Sequence, residues 1–165
     1  MSLAIATSVG QAHERRGRDL LDAFARYTRS TLIVSDPAST AALDAVFHRD
    51  GVLVAVAEAK TRISYDLPAI QRFGSYLITA DKLDTLCYVG RALLVPAFLV
   101  TELSDGVRLY WQLTDKHGNQ RFLWDEAETS TKATSIGPET VVRNNAYLPL
   151  DEGVIWGVLD KSRQG

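Results

Sequence analysis

The sequence predicts an α/β fold: a mixed central β-sheet flanked by helices, with an α-β-β-β-α-β core over about residues 10–113 and a β-rich C-terminal extension over about 114–165. Three observations predict it. Apolar residues recur at helical spacing before residue 30, two apolar β-type runs flank Asp50-Gly51, and the second half alternates short apolar runs with turns. At 165 residues, 46% hydrophobic and 23% charged, the chain has ordinary globular usage and is long enough to bury a real core as one domain. Its formal net charge of -2 supplies no global basic field of the kind that holds nucleic acid non-specifically.

The N-terminus lacks the basic segment and apolar core of a signal peptide, and no run approaches the roughly 20 apolar residues of a membrane span. A cytoplasmic protein is expected. No internal repeat, Walker-type loop or dinucleotide fingerprint occurs. The single cysteine, Cys87, has no Cys or His at zinc-ligand spacing and reads as a small buried side chain.

The first helix is expected over about residues 11–29, because Leu20, Leu21, Phe24 and Tyr27 recur at three- and four-residue intervals. Arg15, Arg16, Arg18, Arg26 and Arg29 crowd this segment and either solvate its outer face or contact phosphates. Glu14 lies near its start, where the helix dipole favours a carboxylate. Thr31 to Val34 is short and β-branched, and Ser35-Asp36-Pro37 stops it as a strand.

Residues 43–48 and 52–60 should pair as an antiparallel hairpin across the Asp-Gly turn. In a strand, successive side chains alternate between faces, so Glu58 and Lys60 project together, with Val52, Val54 and Val56 on the same face. A carboxylate and an ammonium at the end of so apolar a strand are costly to desolvate and need a reason. Asp44 joins them only in the right register. A two-residue turn sets Asp44 opposite Ala57, on the wrong face. A three-residue turn, Arg49-Asp50-Gly51, sets it opposite Val56, on the face of Glu58; a functional site that includes Asp44 requires this turn.

After the hairpin, Pro68 suits the first turn of a helix running through Ile70, Phe73, Leu77 and Ile78, with Gln71 one turn in and Arg72 and Tyr76 sharing a face that is either surface or DNA contact. Residues 93–103 form an apolar run whose Pro96 marks a strand end or edge, and residues 107–113 alternate as a strand, joined to it by Ser104-Asp105-Gly106. A turn at 116–119, holding His117, leads to a short strand over 120–124. Residues 125–138 are rich in Glu, Thr, Ser and Lys, and a mobile loop is expected. Residues 141–150 and 154–159 return to β-like character.

Asp44 followed by Glu58-Ala59-Lys60 at the end of an apolar strand, between two helices, resembles the core of the PD-(D/E)XK nuclease superfamily. The resemblance covers roughly residues 10–113, with Leu43 standing where that family writes proline. It implies that Asp44 is the first acid, with Asp36 the alternative, that Glu58 is the second acid, and that Lys60 is the lysine of a metal-dependent nuclease. A glutamate on the family's first helix often reaches the metal, which places Glu14 among the metal candidates with Asp44, Glu58 and the carbonyl of Ala59. Gln71 is a candidate active-site neighbour. The exonuclease-like tyrosine four residues later is missing, since Ser75 stands there and Tyr76 is five residues on.

Hard oxygen ligands suit Mg²⁺ or Mn²⁺, and the implied partner is DNA, with Arg15, Arg62 and Arg72 as candidate phosphate contacts. Homo-oligomers are expected by analogy. The competing functions are a catalytically inactive nuclease-fold module that binds nucleic acid or assembles, and an unrelated α/β scaffold.

Overall fold

The computed structural model describes residues 8–35, 43–133 and 137–159. Its chain order is α1 (Ser8–Tyr27), β1 (Thr31–Val34), β2 (Ala45–Arg49), β3 (Val52–Thr61), α2 (Leu67–Phe73), β4 (Ser75–Thr79) and α3 (Ala80–Leu93). Then come β5 (Ala97–Glu102), β6 (Val107–Gln112), β7 (Asp125–Lys132), β8 (Thr140–Pro149), a 3-10 turn (Leu150–Glu152) and β9 (Val154–Val158). The main sheet is ordered β1-β2-β3-β5-β6-β9, and a second, three-stranded sheet is ordered β4-β8-β7. Only β3 and β5 pair in parallel within these sheets; the other neighbours are antiparallel. A parallel pair needs a crossover, and α2, β4 and α3 supply it. The mixed sheet flanked by helices is the fold class expected from the sequence.

The two faces of the main sheet carry separate cores. On one, Leu20, Leu21 and Phe24 of α1 pack on Ala45, Phe47, Ala55, Ala57 and Val100. On the other, α3 and the second sheet bury Leu83, Leu86, Ile78 and Leu148 against Val56, Leu99 and Trp111. Trp111 is fully buried, and its indole N–H donates to the Pro149 carbonyl at 2.9 Å, so its size is accommodated without an orphan donor. No helix among the described residues is long and apolar enough to cross a membrane.

The hairpin does not close with the three-residue turn. Arg49 pairs with Val52 across Asp50 (φ 51°) and Gly51 (φ 76°), two left-handed residues in the two-residue turn that suits strand twist. That turn alone would have turned Asp44 away. A bulge restores the phase: His48 pairs with Leu53 but Phe47 with Ala55, leaving Val54 as the extra residue. Val54 and Ala55 therefore both pack on the α1 side, and Val54 does not share the face of Val56 as strict alternation predicts. Ala45 pairs with Ala57, so the register brings Asp44 level with Glu58.

Three further expectations are corrected. The helix expected through Ile78 ends at Phe73, because Gly74 takes φ 74° and its N–H bonds back to Gln71 and Ile70, a left-handed cap. Leu77 and Ile78 belong to β4, where Tyr76 and Ile78 are the buried alternates, so Arg72 and Tyr76 share no helix face. Residues 120–124 form no strand beyond a bridge from Thr114 to Gln120. Residues 125–132, expected in a mobile loop, are β7, fully laddered to β8 from Asp125↔Tyr147 to Lys132↔Thr140. Its charges suit an exposed edge strand, and Thr129 and Thr131 supply the half-buried alternates. Residues 134–136 of that stretch lie outside the described residues.

Candidate active site

The parallel pair ends beside a group of ionisable side chains. β3 is buried continuously from Ala55 to Glu58, and Glu58, opposite Leu99 of β5, is 2% exposed. An isolated carboxylate at that depth would be prohibitively costly, so cations must accompany it. Two do. The Lys60 ammonium donates to Glu58 Oε1 at 2.7 Å, and that of Lys82, from the first turn of α3, lies 3.4 Å from the same oxygen.

Asp44 precedes β2 and is fixed by its own backbone and side chain. Its carbonyl accepts from the Ser35 N–H at 2.9 Å, and its Oδ2 accepts from the Ala59 N–H at 2.8 Å. A strand residue directs its N–H and C=O to the same neighbour, so the Ala59 carbonyl also points to the Asp44 edge, beyond the first residue of β2. Burial and the charge of Glu58 push the Asp44 carboxyl above the usual carboxylate range, against the opposing pull of the Ala59 N–H and the two lysines. Burial acts to lower the Lys60 pKa. The carboxylate and hydrogen bond of Glu58, with Asp44 and Tyr76, outweigh it and hold Lys60 above its ordinary value. Lys60 is therefore an ammonium at neutral pH.

A buried polar relay sets the strand end. Thr101 Oγ1 donates to the Lys60 carbonyl at 2.8 Å and shares a 2.9 Å hydrogen bond with the Tyr76 hydroxyl. Arg62 Nε donates to that hydroxyl at 3.0 Å, its second nitrogen to the Leu77 carbonyl, and its guanidinium lies over the Tyr76 ring. Arg62, expected as a phosphate contact, thus links β3 to β4.

Of the residues singled out in the sequence, Asp44, Glu58, Ala59 and Lys60 come together. Gln71 and Arg72 lie exposed on α2, and Arg15 is exposed on α1. Glu14 pairs with Arg18 at 3.4 Å, both half-exposed, on the helix that covers the opposite face from Glu58. Asp36 falls outside the described residues. Among the described residues, no three His, Cys, Asp or Glu side chains cluster as a metal-binding group. The oxygen donors in this region are the carboxylates of Asp44 and Glu58, which feel each other's charge, with the Ala59 carbonyl adjoining on the Asp44 edge, all hard oxygens. That set fits Mg²⁺ or Mn²⁺, whose remaining positions are ordinarily filled by water and substrate.

Sequence reasoning missed Lys82 and Thr101, and it placed Tyr76 on an outer helix face, whereas Tyr76 is buried on β4. Leu83, Leu86, Cys87 and Gly90 repeat at helical spacing and would have revealed α3, with Lys82 at its start. Cys87 is buried as expected, its thiol pushed up to about 11 by burial and so unreactive. His117 is a turn residue whose N–H bonds to Asp115.

No family model matches the chain. No curated protein matches it either. Among solved structures it is similar to Hjc, a Holliday junction resolvase from the archaeal hyperthermophile Archaeoglobus fulgidus, at 15% identity and a TM-score of 0.44. The similarity covers 59% of this chain and 75% of that one.

Proposed function

We propose that this chain is a metal-dependent nuclease that hydrolyses DNA phosphodiester bonds in the cytoplasm, acting as a homo-oligomer. One observation carries the reading: the fold brings the carboxylate of Asp44, just before β2, to the end of the buried part of β3, where Glu58 and Lys60 lie. Asp44, Glu58 and the Ala59 carbonyl would hold Mg²⁺ or Mn²⁺. A bound divalent ion supplies Lewis acidity and lowers the pKa of water.

The chain's own residues do the rest. Glu58 and Asp44 are held in place by the strand ladder and the Ala59 N–H, so their oxygens need little reorganisation. Lys60, hydrogen-bonded to Glu58, orients the attacking water, deprotonates it, or balances developing charge on the phosphate. The Tyr76–Thr101 relay fixes the backbone of Lys60, and with it the ammonium. Arg15 and Arg72, exposed on α1 and α2, are the proposed phosphate contacts outside the centre, and Gln71 is a proposed neighbour on the substrate path.

A second reading is supported by the pairing of Glu58 with two ammoniums, which neutralises the site internally: a catalytically inactive module of the same fold that binds DNA or assembles. Plasmid and single-stranded DNA cleavage in Mn²⁺, Mg²⁺ and EDTA separates the two, with Mn²⁺ binding measured by calorimetry. Cleavage that needs the metal and is lost in Asp44→Ala and Glu58→Ala supports the nuclease. DNA binding without metal binding or cleavage moves the chain to the second class.

A further inference from the structure

Glu58 Oε1 receives two ammoniums that differ in how firmly they are held. Lys60 stands two residues away on the same strand, its contact is 2.7 Å and its backbone is pinned by Thr101. Lys82 reaches in from another element, its contact is 3.4 Å and its side chain is 46% exposed, against 31% for Lys60. A long, flexible stem with a half-exposed head can leave at little cost. Lys60, nearer and less exposed, is held the more firmly of the two.

Charge decides what such a lysine is for. Asp44 and Glu58 carry two negative charges, and Lys60 and Lys82 supply two positive ones, so the centre is already balanced without a metal. A divalent cation entering that balanced centre would leave two uncompensated positive charges within a few ångströms, an arrangement a partly buried site does not tolerate. One ammonium must give way, and Lys82 is the one free to do so. When it swings out it remains at the start of α3, a 14-residue helix whose N-cap Thr79 makes no side-chain cap bond.

From this we infer that Lys82 is an exchangeable counter-ion, holding the place of positive charge on Glu58 until a divalent cation displaces it onto the DNA phosphate backbone. The inference rests on the nuclease reading and adds a role for a residue outside the Asp-Glu-Lys set. It couples metal entry to substrate capture through one side chain.

Mn²⁺ titration calorimetry on the wild type, Lys82→Gln and Lys82→Arg tests it, beside anisotropy of a labelled DNA duplex in Ca²⁺. Lys82→Gln should bind Mn²⁺ about five- to tenfold more tightly, the competing charge being gone, with Lys82→Arg close to wild type. A damaged fold would not tighten metal binding. Lys82→Gln should also bind DNA several-fold more weakly, with a salt dependence shallower by about one counterion. Metal binding by Lys82→Gln alone would support the exchange in its strongest form. Wild-type binding with no tightening in Lys82→Gln, or unchanged DNA affinity, overturns the exchange and leaves the nuclease reading standing. No metal binding in either protein overturns both.

Discussion

Two buried glutamates sit on opposite faces of the same parallel strand pair, and each is flanked by two cations. Glu58, 2% exposed, ends the buried part of β3 and meets two lysines. Glu102, 3% exposed, ends β5 on the α1 side and meets two arginines, Arg16 Nη2 at 3.1 Å from Oε1 and Arg108 Nε at 3.0 Å from Oε2. The arginines divide the carboxylate between them, and Arg108 also lies over the Trp156 ring, so α1, β5, β6 and β9 are tied at one point. The lysines of Glu58 crowd one oxygen from half-exposed stems. Planar guanidiniums with fixed donors make a lock, whereas flexible ammoniums make a site that can be rearranged. A buried carboxylate is therefore not a functional signal by itself; the kind and mobility of its partners are.

The sharpest test of that contrast removes each carboxylate in turn. Glu58→Gln should lower metal-dependent cleavage on the order of a thousandfold and abolish Mn²⁺ binding, with little change in the thermal midpoint. Glu102→Ala should do the reverse, costing about 2–3 kcal/mol in urea unfolding because two guanidiniums lose their partner, discounted for the exposure of Arg16, while Mn²⁺ affinity is kept. A Glu102→Ala protein that folds normally but no longer binds Mn²⁺ would break the comparison. Thr101→Val, which cuts the relay beneath Lys60, should cost about 1–2 kcal/mol by the same denaturation measurement.

A pH series sharpens the Glu58 side. The folded pKa of Asp44 lies above its unfolded value, so its contribution favours the folded state below the ordinary carboxylate range and is lost as pH rises through the raised value. Asp44→Asn should therefore raise the thermal midpoint at neutral pH while removing metal binding, and the two curves should converge in acid. A midpoint lowered at neutral pH would contradict the strain assigned to ionised Asp44. The smallest effect is expected at Glu14. With its carboxylate held by Arg18, Glu14→Gln should change Mn²⁺ affinity less than tenfold; a larger loss in calorimetry would bring the first helix into the metal site.

Local patterns made much of the fold legible. β1 lies where β-branched residues precede Ser35-Asp36-Pro37, β6 follows the alternation of Val107, Leu109 and Trp111, and α1 follows its apolar spacing. Ambiguity arose where one pattern served two structures. Ile70, Phe73, Leu77 and Ile78 satisfy helical spacing, yet Tyr76 and Ile78 also satisfy strand alternation, and Gly74 settles the matter by its left-handed cap. β7 is polar enough to read as loop. It becomes a strand because β8 supplies its ladder and Asn145, buried, donates to Thr129 Oγ1 at 2.7 Å.

The sequence by itself singled out the candidate residues: an acid before one apolar run, and an acid and a lysine at the end of the next, with alternation setting Glu58 and Lys60 on one face. Tertiary structure decided whether Asp44 could join them. Face is a parity, and the two-residue turn alone gives the wrong one; the bulge at Val54 reverses it. Tertiary structure also chose the partners, sending Lys82 to Glu58 from an element 20 or more residues away and Arg16 and Arg108 to Glu102. Parity and long-range pairing depend on where whole elements pack, and no local pattern encodes that.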